Sequence, residues 1–318
     1  MNSGKAFELL VKRMLLNIGF SEVISDGLYV YDGTPGQMIQ GLGEAHNADV
    51  LLEPPVQTPF YSRTRLLIEC KNYKKKVGLD IIRSALGLRE DINNFNLVDE
   101  KVLKARRRQR RKVFPSRFEH YYYQVAVASF EGFTTPAQEF AAAYRIPLIE
   151  FNKLPFWTDF CKKIGSPDPL ATHNRSGIDS EIFDKELLDF VDKIGHQMAV
   201  AITNAGQMLF LYHNSDEGIT FDNHYSLHWI DPKKPWKLKS GKEEYLFQLP
   251  TDILRNWLSE SSDEITMKLH FLNRKADYMA NMIVYFTDHE RPSIKMISID
   301  QSQLEEAKSF LEESAQNK

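Results

Sequence analysis

The stretch Leu66-Leu67-Ile68-Glu69-Cys70-Lys71, preceded by Ala48-Asp49-Val50-Leu51-Leu52, decides the fold. Both are short apolar runs with polar ends, the pattern of strands buried in a sheet. Side chains alternate faces along a strand, so Glu69 and Lys71 point one way while Ile68 and Cys70 point into the opposite packing layer. Two carboxylates, Asp49 and Glu69, and the Lys71 amine are thus expected at the ends of two neighbouring strands, looking into one cleft.

Those residue types suit metal-dependent phosphodiester hydrolysis. A hard divalent cation takes oxygen ligands, and Asp49 and Glu69 offer two carboxylates, to which the Cys70 main-chain carbonyl adds a third oxygen. Mg²⁺, with Mn²⁺ as the alternative, would polarise the scissile phosphate and acidify a bound water. Lys71, a compact point charge, would orient that water or neutralise charge developing on the phosphate. The Cys70 side chain reads as a small buried filler.

The flanks extend the pattern. Gly4 to Ile18 reads as an amphipathic helix with Phe7, Leu10, Val11, Met14, Leu15 and Ile18 on one face and Glu8 among its polar positions. Val77-Gly78-Leu79-Asp80-Ile81-Ile82-Arg83-Ser84-Ala85-Leu86-Gly87 follows the Lys71 strand. Further on come Val125 to Ser129, the turn Ser129-Phe130-Glu131-Gly132-Phe133-Thr134, an Ala-rich helix and a closing Ile146-Pro147-Leu148-Ile149 strand. Over roughly residues 1–151 the chain resembles the PD-(D/E)xK nuclease superfamily, and within it the Mrr-like restriction endonuclease group.

The resemblance implies a restriction-endonuclease-like α/β domain, a mixed sheet flanked by helices, in a set order: helix, acidic strand, Glu-x-Lys strand, helix, strand, helix, short strand. It implies Asp49 and Glu69 as metal ligands, Lys71 as the catalytic amine, Glu8 as a helix-borne carboxylate that assists, and a role for Arg83 on phosphate. From the residues alone, Glu8 is equally a surface partner for Lys5 or Lys12, and Arg83 equally a solvated helix residue. His46, in the loop before Asp49, is read as incidental.

Composition sets the broad class. The chain has 318 residues, 42% hydrophobic and 26% charged, ordinary proportions for a globular protein of two domains. It has two cysteines, no run apolar enough to span a bilayer, and no Cys/His spacing for zinc; a cytoplasmic protein without a membrane partner is expected. The net charge of −3 does not announce a nucleic-acid binder, but its distribution does. Lys101 to Arg117 holds nine basic residues and no acidic one. Lys104, Arg106, Arg107, Arg108, Arg110, Arg111 and Lys112, in an insertion at about 95–120, are expected to bind DNA phosphates. Phe118 and Tyr121-Tyr122-Tyr123 then either stack on bases or open a core strand.

The nuclease-like domain is placed at 1–164, a turn-rich linker at 165–179, and an α+β or mainly β domain at 180–318. In the latter, Ser180 to Ile194 reads as a helix, and Met198 to Thr203 with Gln207 to Tyr212 as a hairpin. Strands are expected near Tyr225 to Ile230, Glu244 to Leu249, Thr266 to Leu272, Met282 to Phe286 and Ser293 to Ile299, with helices at Thr251 to Ser259 and Ser302 to Ser314. Trp229, Trp236, Lys233 and Lys234 offer a recognition loop or ordinary packing. The reading is a metal-dependent DNA endonuclease of prokaryotic restriction or anti-phage defence. It is expected to act as a homo-oligomer, since cutting two strands needs two sites, with scope for a partner protein of the defence system. The alternative is a catalytically silent nucleic-acid-binding or assembly protein.

Overall fold

The computed structural model describes residues 3–34, 36–57, 62–95, 121–164, 180–213, 218–227, 236–250, 264–288 and 291–316. The basic run, the 165–179 segment, Trp229, Lys233, Lys234 and the expected helix at 251–259 lie outside them.

The N-terminal half opens with helix α1 (Ser3–Asn17) and strand β1 (Ser21–Glu22). Three short strands follow, β2 (Val30–Asp32), β3 (Gln37–Gln40) and β4 (Ala45–Asn47), paired antiparallel in a small sheet of their own. Strand β5 (Val50–Glu53), strand β6 (Arg63–Lys71), helix α2 (Leu79–Asn94), strand β7 (Tyr121–Ser129), helix α3 (Thr135–Tyr144) and strand β8 (Leu148–Glu150) complete the main unit. Their sheet runs β1-β5-β6-β7-β8 and is mixed: β5 is antiparallel to β6, whereas β7 and β8 continue parallel. Parallel neighbours need a crossover, and α2 and α3 lie on the two crossover connections.

Packing follows from alternation along the strands. Leu66, Ile68 and Cys70 of β6 face α1 together with Ala126 and Ala128 of β7, meeting Ala6, Phe7, Leu10 and Met14. Leu67 of β6 and Val125 and Val127 of β7 face α2 and α3, meeting Ile82, Ala85, Ala137 and Ala141. Strand β7 is therefore covered on both sides, which explains its nearly unbroken apolar run.

The C-terminal half is a closed seven-stranded barrel. After helix α4 (Trp157–Ile164) and helix α5 (Ser180–Ile194) come β9 (Met198–Thr203), β10 (Met208–His213), β11 (His224–Leu227), β12 (Trp236–Ser240), β13 (Glu243–Phe247), helix α6 (Glu264–Tyr278), β14 (Asn281–Asp288), β15 (Arg291–Ile299) and helix α7 (Gln301–Gln316). The strand expected at Thr266 to Leu272 is thus a helix. Its buried residues Ile265, Phe271, Leu272, Lys275 and Ala276 recur at helical spacing, not at every second position, and Phe271 packs edge-on to Trp236 with ring centroids 5.9 Å apart.

The two halves share a core. One continuous apolar cluster contains Phe7, Phe151 and Trp157 from the first half and Phe190, Met198, Met208 and Phe210 from the second. Arg13 of α1 grips Asp192 of α5 through two nitrogens at 2.7 and 2.8 Å, and the Gln207 side chain donates to the Leu148 carbonyl at 2.6 Å.

The turn after β7 is built around a glycine. Gly132 has φ of +82°, and a Cβ there would lie 2.2 Å from a Glu150 carboxylate oxygen. The buried Ser129 hydroxyl donates to the Gly132 carbonyl at 2.9 Å, which also accepts from the Val77 N–H at 2.9 Å. The turn therefore clamps the chain six residues after Lys71. Gly132→Ala should cost about 2 kcal/mol and lower the melting temperature by about 4–8 °C. Gly87→Ala, in mid-helix with open space around it, should raise it slightly. Thermal unfolding checks both, and equal melting temperatures would contradict the assignment.

Candidate active site

Strand β6 outruns its neighbour. Antiparallel pairing with β5 covers Val50 to Leu52 opposite Ile68 to Leu66, which leaves Glu69, Cys70 and Lys71 beyond the end of β5. Backbone groups of successive strand residues point to opposite sides, and the Lys71 carbonyl accepts from Phe130 on the β7 side. The Cys70 N–H and carbonyl therefore point towards the β5 side, where the Cys70 N–H donates to an Asp49 carboxylate oxygen at 2.9 Å. Asp49 stands one residue before β5 and supplies the partner that the strand itself no longer provides.

Lys71 ties the acids together. Its ammonium lies 2.9 Å from Glu69 and 3.9 Å from Asp49. Burial acts to lower its pKa, but the charge and hydrogen bond of Glu69, then the charge of Asp49, outweigh that and hold it above the ordinary lysine range. Lys71 stays positive through neutral pH, so it serves as a fixed charge and not as a proton acceptor.

Glu8 joins from α1, ion-paired with Lys5 at 2.6 Å. Its pKa is raised, first by burial and then by the Asp49 charge, against the lowering effects of Lys5 and Lys71. Side-chain exposures of Glu8, Asp49, Glu69 and Lys71 fall between 14 and 22%, so the cluster is open to solvent yet partly desolvated. The Cys70 thiol is buried, and burial pushes its pKa well up, which makes it a packing group and not a nucleophile.

The cleft has two walls. A cavity of about 460 Å³ is lined by Glu69 and Lys71, by Glu44, His46 and Asn47 from the β3–β4 hairpin side, and by Ile81, Ser84, Ala85 and Leu88 of α2. The hairpin is pinned to α2 through Asp91, which accepts from the Gly43 N–H at 2.8 Å and meets His46 Nε2 at 2.7 Å. Both bonds hold Asp91 below the usual carboxylate range, His46 contributing most. Gly41 permits the approach, since a Cβ there would fall 1.9 Å from an Asp91 oxygen. His46, read as incidental, is thus a structural tie in the cleft wall.

Other expected residues fall elsewhere. Arg83 is exposed, its guanidinium 5.8 Å from the Phe140 ring centre, and it does not line the cleft. The basic side chains from Lys104 to Lys112 lie outside the described residues. Asn47 was missed by sequence reasoning. It lines both the main cavity and a smaller one of about 190 Å³ shared by Lys5 and Asp49. Its side-chain amide donates to Asp49 at 3.5 Å, and its Oδ1 is buried without a hydrogen-bond partner. No local signal marked it, because β4 is three residues long with no periodicity to read.

Among the described residues, no group of three or more His, Cys, Asp or Glu side chains is disposed to hold a metal ion. The donor set nevertheless suits Mg²⁺, which is usually bound through one or two carboxylates and keeps several waters. Asp49 and Glu69 provide the carboxylates and the Cys70 carbonyl faces the same side of the strand. The orphaned Asn47 oxygen is one that a cation or its water would satisfy.

No family model matches this chain, and no curated protein matches it. A solved crystal structure of a protein of unknown function, AF1548, is similar over 60% of this chain and 97% of its own, at 14% identity and a TM-score of 0.32, too weak a likeness to carry an argument.

The raised pKa of Glu8 has a stability consequence. A carboxylate whose folded pKa exceeds its unfolded value favours folding while protonated, and that contribution is lost as pH climbs from about 4.5 through the folded value. The melting temperature of Glu8→Gln minus that of wild type should therefore increase between about pH 4 and pH 7.5. A difference that stays flat or falls would contradict the burial argument.

Proposed function

We propose that this chain is a metal-dependent endonuclease that hydrolyses DNA phosphodiester bonds, with a restriction-endonuclease-like N-terminal domain, in prokaryotic restriction or anti-phage defence. One observation carries the reading: Asp49 and Glu69, brought from two strands, share the Lys71 ammonium at 3.9 and 2.9 Å. The element order α1, β5, β6, α2, β7, α3, β8 supports it, being the order the family resemblance implies.

Asp49 and Glu69 would hold Mg²⁺ or Mn²⁺ with the Cys70 carbonyl; the bound cation supplies Lewis-acid polarisation of the phosphate and a more acidic water. Lys71 holds a positive charge where the phosphate gains negative charge during attack. Asp49 is kept in place by the Cys70 N–H. Glu8, with its raised pKa, is the carboxylate of the cluster best suited to take up a proton. Arg83 and the basic residues from Lys104 to Lys112 extend the DNA contact outside the cleft, and the barrel is left for recognition or assembly. Two copies would cut the two strands of a duplex in the cytoplasm, with a defence-system partner as a further component. No described helix is long and apolar enough to cross a membrane.

The absence of a three-side-chain metal cluster among the described residues favours the other reading, a nucleic-acid-binding or assembly protein that keeps the fold without cutting. Cleavage of plasmid and single-stranded DNA separates the two. Wild type should cut with Mg²⁺ or Mn²⁺ and not with EDTA, and Lys71→Ala should be slower by about 10²–10³-fold, the cost of removing one preorganised charge. Binding without cutting under every metal condition would establish the silent reading.

A further inference from the structure

The segment Asn72-Tyr73-Lys74-Lys75-Lys76, between Lys71 and Val77, belongs to none of the roles above. Tyr73, Lys74, Lys75 and Lys76 are all exposed, and no acidic residue intervenes before Asp80. A run of lysines on a surface is usually a solvated face, so its placement has to decide.

Both ends of the segment are fixed relative to the site. It begins at Lys71, whose carbonyl is held by Phe130, and ends at Val77, which bridges Phe133 and bonds Gly132 at 2.9 Å and Thr134 at 3.0 Å. The lysines therefore stand on a short, anchored loop and not on a free arm. Tyr73 is close enough to Lys71 for its phenol to act on the charge of that amine. The loop leaves the cleft at the Lys71 end, opposite the hairpin tip that docks on Asp91.

The charge is unspent. Lys5 is paired with Glu8, Lys12 with Glu22 and Lys71 with Glu69, whereas among the described residues Lys74 and Lys75 pair with no carboxylate. Glu8, Asp49 and Glu69 repel an incoming phosphodiester, and a site that draws a polyanion onto three carboxylates needs positive potential at its mouth.

We infer that the Lys74–Lys76 loop is a phosphate-binding site that seats the sugar–phosphate backbone of the substrate strand at the Lys71 end of the cleft. The inference rests on the nuclease reading. A lysine contact to phosphate is independent of sequence and releases counterions, so it is read in the salt dependence of binding.

The test is binding of the full chain to a labelled duplex and its single strand in EDTA, where no cutting occurs, across a range of potassium chloride concentrations. Lys74→Gln/Lys75→Gln should bind more weakly than wild type. Its slope of log affinity against log salt should be shallower by about 1.8 on duplex, two charges at about 0.9 each, and by about 1.4 on single strand. Both positions are exposed, so an unchanged melting temperature confirms the fold. An unchanged slope would overturn the loop as a phosphate site and leave the nuclease reading standing. Failure of wild type to bind either substrate at any salt would overturn both.

Discussion

The parallel pairing of β6 with β7, nine residues in unbroken register from Arg63 opposite Tyr121 to Lys71 opposite Ser129, is the constraint on which the rest depends. It carries β6 past the end of β5 and sets Lys71 beside the turn that clamps the following loop. An overhanging strand presents backbone groups without a ladder partner, and such groups are costly when unsatisfied. Asp49 meets that need at the Cys70 N–H. A carboxylate is thereby drawn to where Glu69 and Lys71 already point, and the reactive cluster is a consequence of unequal strand lengths.

Electrostatics then divides the labour. Lys71 compensates Glu69 and Asp49 at short range, while Glu8, further into the protein beneath α1, is the acid whose charge burial most opposes. Gathering three carboxylates in a half-buried site works against folding, a common trade where a site must be ready for a cation or a substrate. The aromatic packing of Phe7 with Phe151, centroids 5.1 Å apart, and of Phe151 with Trp157 at 5.2 Å, holds α1 and so Glu8 to the sheet. Since the same apolar cluster runs on into β9 and β10, the barrel buttresses the helix that bears Glu8.

Much of the N-terminal arrangement was legible because its signals are local. Glu69 and Lys71 share a face by strand alternation, Cys70 turns inward for the same reason, and the apolar spacing of α1 is helical. What could not be read depends on contacts distant in sequence. The small sheet of β2, β3 and β4 is made of strands of three or four residues, too short for periodicity, and it supplies Asn47 and the cleft wall. In the barrel, Trp236-Lys237-Leu238-Lys239-Ser240 did alternate buried and open positions, but its setting beside Pro232 and Pro235 reads as loop. The segment Glu264–Tyr278 was taken for a strand because the window Thr266 to Leu272 is too brief to separate a period of 2 from one of 3.6; the whole helix with its buried Ile265, Phe271, Leu272 and Ala276 resolves it. Barrel closure, through β9 against both β10 and β14, is a matter of strand order that no single segment encodes.

The central claim is that Asp49, Glu69 and Lys71 form a cation-dependent phosphodiester site, and the most direct test is electron paramagnetic resonance of Mn²⁺ added to the full chain with a phosphorothioate duplex that resists cutting. The account predicts protein-bound Mn²⁺ in wild type and its loss in Glu69→Gln and Asp49→Asn. Equal Mn²⁺ binding by wild type and both variants, or none by wild type with duplex present, would contradict it.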